Sequence, residues 1–135
     1  TWCAPESRAS MIHFDTTALI ALPLWAREGH PAVERVVDGE PAAVSAVVWY
    51  EFLVGPVDAD EVRLAAAFLK GLIVPIDADT ARMASVLFNG AGRRRTLKTD
   101  ALIAAAAIQA SAEFFTLNVD DFRPVVDGGL RLASP

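Results

Sequence analysis

The sequence predicts an α/β domain, a mostly parallel central sheet flanked by helices. Three observations predict it. Short apolar runs recur near residues 12, 44, 74, 115 and 131, and segments with helical spacing fill the gaps between them. Proline, glycine or a charge ends each run, so elements are punctuated rather than continuous. The 135 residues are 53% hydrophobic, enough for one core that buries roughly two thirds of the unfolded surface.

Met11–Phe14 reads as the end of a buried strand. Thr17–Arg27 has helical spacing, with Ile20, Ala21 and Leu24 on one side, and Pro23 predicts a kink or an early break. "HPAVERVVDG" is a short helix, Pro31 in its first turn and Gly39 past its end. "AAVSA" around Val44 is a strand. Ser45 is placed to cap a helix over Ala46–Leu53, which Gly55-Pro56 ends. Asp58–Leu69 is helical and closes at Gly71. Leu72–Ile76 is a strand that Pro75 confines to a sheet edge. Asp77–Gly90 is an amphipathic helix with acids in its first turn. Gly90–Lys98 is a basic loop, and Thr99 is expected to cap an alanine-rich helix over Asp100–Ala112. Glu113–Asn118 and Leu130–Ala133 complete the strands. No repeat or linker divides residues 11–135, which are expected to form one domain.

Composition narrows the function. No run reaches the roughly 18 apolar residues of a membrane span, and so much apolar surface points to a face covered by a partner. Cys3 is the only cysteine, which rules out an internal disulfide and suits a cytoplasmic location. Residues 1–10, "TWCAPESRAS", lack the pattern of a secretory leader. They are expected to be a poorly ordered extension, with Met11 as the natural start. A net charge of −5 argues against broad electrostatic binding of nucleic acid. It leaves room for a local basic patch, and "GRRRTLK" at 92–98 is one.

The acids carry the chemical signal. Asp15 stands just past the first strand. Asn118, Asp120 and Asp121 stand just past the "EFFTL" strand, and Asp100 opens a helix whose free N–H groups favour negative charge. In an open α/β sheet ligands bind beyond the carboxyl ends of the strands. Glu51 lies on the same helix face as Val47, Val48 and Val54, an acid on an apolar stripe. Carboxylates gathered at one edge repel: at ~4 Å a pair costs about 4 kcal/mol at an effective dielectric of ~20. Either some hold a proton, or a hard cation with oxygen ligands sits among them.

Four stretches, "IHFDTTALIAL", "VVWYEFLVG", "TDALIAAAAI" and "FFTLNVDDF", fall in order. With the closing "GL-x-L" at 129–132 they resemble the PIN-domain ribonucleases, specifically the VapC toxins of toxin–antitoxin pairs. The resemblance covers nearly all of residues 11–133. It implies a compact parallel-sheet domain that hydrolyses RNA with Mg²⁺ or Mn²⁺, tRNA and ribosomal RNA being common substrates. It also implies a VapB-type antitoxin partner and a homodimer. Carried over, Asp15, Glu51 and Asp100 match the three core acids, with Asp15 and Asp100 as metal ligands. Asp121 takes the fourth acidic position, because Asn118 occupies the slot where relatives carry an acid. Asp120 neighbours it, and Thr16 or Thr17 matches a hydroxyl that supports Asp15 or a phosphate. One or two of Arg93, Arg94 and Lys98 are expected to steer RNA phosphates toward Asp100.

Each of these residues has a plainer role open to it. Asp15 alone caps the following helix, Glu51 pairs with a buried arginine, Asp120 is a solvated turn acid, and "GRRRTLK" is a solvated loop. His13 is packed, and Trp49 and Tyr50 serve the core or a dimer face. Two other function classes compete. A phosphatase or phosphotransfer domain also places an aspartate after a strand, but "DTT" lacks a second aspartate and leaves Glu51 without a role. A catalytically weak binding module of the same fold would accommodate Asn118.

Overall fold

The computed structural model describes residues 11–133; the expectations for residues 1–10, Cys3 among them, lie outside the described residues. Five strands form one parallel sheet: β1 (Ile12–Phe14), β2 (Ala42–Ser45), β3 (Ile73–Val74), β4 (Glu113–Phe115) and β5 (Arg131–Leu132). Their spatial order is β3-β2-β1-β4-β5, and every neighbouring pair runs parallel. The α/β class is as the sequence predicts. β3 stands at an edge, where Pro75 needs no ladder partner. The first connection leaves β1 toward β2, and the chain later returns to lay β4 on its other side. The strand order reverses at β1, so a crevice opens at its carboxyl end.

The helices are α1 (Thr16–Glu28), α2 (Pro31–Val37), α3 (Ala46–Val54), α4 (Ala59–Leu69), α5 (Ala78–Gly90), α6 (Lys98–Gln109) and α7 (Val119–Phe122). Three departures from the sequence reading have physical causes. α1 runs straight on through Pro23, because buried Leu19, Leu22 and Trp25 on either side hold it against the core. Packing outweighs the lost hydrogen bond. Thr99 does not cap α6. The helix starts two residues earlier, out of a 3₁₀ turn over Arg95–Leu97, and buried Leu97 occupies the cap position. Residues 119–128, which the sequence reading assigns to no element, are helical: the single turn of α7 passes into a 3₁₀ segment over Arg123–Gly128, anchored by buried Phe122 and Val125. Elements this short leave no periodicity to read.

Side chains alternate along β1. Phe14 packs on Trp25 of α1, Phe68 of α4 and Phe115 of β4, with ring centroids 5.8–6.4 Å apart. His13 and Asp15 point the other way. On α6, Ala104, Ala105 and Ala107 are fully buried, and their small side chains let the helix sit close to its neighbours. That closeness brings Asp100, in its first turn, to the carboxyl end of β1.

α3, which carries Glu51, starts as predicted: the Ser45 hydroxyl accepts from the Val48 N–H at 3.2 Å, and Ser45 is itself buried. Ser45→Ala is expected to lower stability by about 1 kcal/mol, the usual cost of a lost N-cap. Urea denaturation followed by circular dichroism measures it, and an unchanged midpoint refutes the capping role.

Candidate active site

Asp15 follows β1 directly. Its backbone N–H donates to Phe115 O at 2.9 Å, which ties the residue to β4. It holds the N-cap position of α1, yet its side chain does not cap the helix. The carboxylate instead accepts from two hydroxyls on Oδ2, Thr116 at 2.7 Å and Thr17 at 3.2 Å. Only 4% of Asp15 is exposed. A helix cap aims at its own backbone, whereas this carboxylate is held by hydroxyls from two segments. The plainer role for Asp15 is therefore not what the geometry describes.

Glu51 projects from α3 and is half-buried. Its Oε1 accepts from the Thr16 hydroxyl. Thr16 and Thr17 thus divide their work, one on Glu51 and the other on Asp15. Among the described residues the partner of Glu51 is a hydroxyl and not an arginine, so no cation there offsets its charge by hydrogen-bond contact.

Asp100 registers the field of its neighbours. Its carboxyl is pushed up to about 6, first by burial and then by the charges of Asp15, Glu51 and Asp121. Four acids from four separated segments therefore share one electrostatic site. Asp100 and Asp121 line a cleft of about 280 Å³ with Arg94, Thr96, Leu97 and Asp120. A larger cavity of about 650 Å³, between α5 and the 3₁₀ segment, shares Pro124 with that cleft but contains none of these four acids. The shared charge, not size, singles out the smaller cleft as the candidate site.

The remaining predicted residues fall into place around the cleft. Asp121 is exposed at the turn of α7, its N–H bonded to Asn118 O at 3.0 Å. Asp120 is exposed and ion-paired to Arg123 at 2.8 Å. Asn118 precedes α7, exposed, and its side chain caps nothing. Arg94 lines the cleft, whereas Arg93 lies over the Phe88 ring at 5.3 Å and bonds Asn89. Lys98 is exposed at the first turn of α6. Thr116 escapes a reading by motif. Its place beside Asp15 follows from the pairing of Phe14 with Phe115, and only a known register reveals that.

The donor set is all oxygen: carboxylates backed by hydroxyls. Among the described residues, no three acids stand close enough to ligate one ion together. Hard cations such as Mg²⁺ commonly keep several waters and take one or two protein carboxylates. Asp15, whose Oδ2 carries both hydroxyl bonds, and Asp100 fit that demand.

The model of the PIN domain family matches residues 12–126. A search of curated proteins finds no match. Among solved structures, the chain resembles a toxin–antitoxin complex from Klebsiella pneumoniae. The identity is 29% and the TM-score 0.64, over 83% of this chain and 90% of that one. It also resembles FitAcB from Neisseria gonorrhoeae, at 20% identity and TM-score 0.67 over 93% and 98% of the two chains. VapBC2 from Rickettsia felis, bound to a DNA fragment from its promoter, gives 19% identity and TM-score 0.63 over 91% and 97%.

Proposed function

The chain belongs to the PIN-domain family, and from that premise we propose that it is a metal-dependent endoribonuclease, the toxin of a VapBC-type toxin–antitoxin pair. The reading rests on one observation: Asp15, Glu51 and Asp121 lie close enough to Asp100 that their charges, added to its burial, push its carboxyl up to about 6. A fold has no use for such repulsion, and a hard cation relieves it.

Asp15 and Asp100 would hold Mg²⁺ or Mn²⁺, which when bound lowers the pKa of water and stabilises charge on phosphoryl oxygens. The chain's own groups supply the rest. Thr116 and Thr17 fix the Asp15 carboxylate on one oxygen and leave Oδ1 for a ligand. Thr16 fixes Glu51 through Oε1, so Oε2 is placed to accept the proton of the attacking water. Asp121 helps orient that water for in-line attack at phosphorus. Arg94, on the wall of the cleft, meets the phosphate and offsets the repulsion between RNA and the acids.

A protein partner is part of the proposal. Exposed Ile20, Leu24, Leu53 and Leu64 belong to α1, α3 and α4, and Leu19, Pro23, Phe52 and Val57 line a groove between these helices. Apolar surface of this kind supports a face covered by an antitoxin or a second copy. Several of the similar structures are toxin–antitoxin complexes, which supports the antitoxin.

The test is direct. With Mn²⁺ the purified protein is expected to cut a structured RNA, and manganese at about 100 times its Kd is expected to raise Tm by about 5–10 °C. Asp15→Asn is expected to lose both effects. Equal cutting by the two proteins indicates a contaminating nuclease, and a Tm unmoved by metal in the wild type removes the metal site.

A further inference from the structure

The loop between β4 and α7 presents an apolar side chain that the core does not use. Leu117 is 59% exposed. Its backbone is nevertheless fixed: the Leu117 N–H donates to Thr17 Oγ1 at 3.0 Å and the Asn118 N–H to Thr116 Oγ1 at 2.9 Å. Both of those hydroxyls also bond Asp15. The backbone is therefore fixed beside the acidic site, while the side chain gains little burial from folding. A ligand that lands on it has no backbone left to order. Leu117, Asn118 and Val119 line a recess of about 330 Å³, and Asp120 and Asp121 line both this recess and the acidic cleft. The two form one continuous surface.

We propose that Leu117 and Asn118 form a nucleobase subsite for the nucleotide flanking the scissile phosphate. The inference rests on the nuclease reading and adds to it a specificity element, the side chains that hold one base of the strand. The occupant is a base and not a phosphate, because Asp121, with Asp120 already paired to Arg123, repels phosphate but accepts hydrogen bonds from exocyclic amino groups. Leu117 and Val119 offer the apolar contact that a base face needs. The Asn118 amide, exposed and not engaged in capping, offers a donor and an acceptor to the base edge. A base reaches such a platform only when it is unstacked, which selects loops and single strands over duplex.

An abasic cycle tests the subsite. A single-stranded RNA oligonucleotide that the wild type cuts is remade with an abasic ribose at each nucleotide flanking the cut. With Mn²⁺, one of these replacements is expected to raise the wild-type KM about tenfold, the low end for a base–side-chain contact. Leu117→Ala is expected to raise KM on the intact oligonucleotide by a similar factor, and to show less than a roughly twofold further change on the abasic one. The loss falls on KM and not on kcat, and the manganese shift in Tm persists in the variant. An abasic effect of equal size in both proteins, or a loss confined to kcat, overturns the subsite while the nuclease reading stands. A changed molecular mass of Leu117→Ala by light scattering also overturns it, since the leucine then serves a protein interface. A wild type that cuts no RNA overturns the nuclease reading, and the subsite with it.

Discussion

Asp100→Asn is expected to make the metal-free protein more stable at pH 7 and to abolish RNA cleavage. The Asp100 carboxyl is pushed up to about 6 from an ordinary 3.8, first by burial and then by the charges of Asp15, Glu51 and Asp121. Between those two values the folded chain binds more protons than the unfolded chain, so stability falls as pH rises through the window. The gross effect is about 3 kcal/mol, and partial exposure of Asp100 reduces it to about 1–2 kcal/mol. An asparagine carries no charge to repel, so the variant should keep that amount at pH 7 and above. Below about pH 4 the wild-type carboxyl is protonated and the advantage should vanish. Denaturation in EDTA at pH 4, 6 and 8 measures it. In the same variant cleavage should drop by about a thousandfold or more, the scale of losing several kcal/mol of transition-state stabilisation. A variant that is no more stable at pH 8 than the wild type would mean the four acids do not strain the fold, and the case for a cation among them weakens accordingly.

That opposition of stability and activity explains which parts of the site are readable from sequence. Glu51 stands out because an acid interrupts a valine stripe, and Asp15 because it ends an apolar run. Both break local rules that the rest of the chain keeps, and such breaks mark function. Thr116 breaks none. A threonine after a strand is ordinary, and its bond to Asp15 Oδ2 depends on a pairing across residues 101 apart in sequence. Arg93 and Arg94 are adjacent and chemically identical, yet one lies over Phe88 and the other faces the acids. Arg93 adopts a positive φ of 58°, and a loop with that turn in it reverses the direction of neighbouring side chains without any periodic trace. The sheet was legible for the opposite reason: each strand is an apolar run closed by punctuation, and parallel pairing follows from helices in the gaps. The start of α6 was not, because the 3₁₀ turn over Arg95–Leu97 satisfies the helix entry that a Thr99 cap would otherwise serve.

His13→Leu is expected to stabilise the protein most in mild acid. His13 lies in β1 between Ala43 and Phe114, 1% exposed, and its Nε2 has no hydrogen-bond partner among the described residues. Burial holds its pKa down at about 4, against an ordinary 6.5. The unfolded chain therefore takes up a proton that the folded chain refuses, so stability falls as pH drops from 6.5 toward 4, by about 3 kcal/mol in all. Leucine removes that loss. At pH 7 it also removes an unpaired polar atom worth about 1–3 kcal/mol, against a repacking cost of about 1 kcal/mol. The variant should thus be modestly more stable at pH 7 and about 3 kcal/mol better than that near pH 4. Asp100 titrates in nearly the same window with the opposite sign, gaining stability as pH falls. In the wild type the smaller Asp100 gain offsets part of the His13 loss. Each variant should uncover the other's slope: His13→Leu a protein that strengthens toward pH 4, Asp100→Asn one that weakens there. Melting temperatures at pH 7 and pH 4.5 for both variants decide it, and parallel pH profiles in the two would sink both assignments at once.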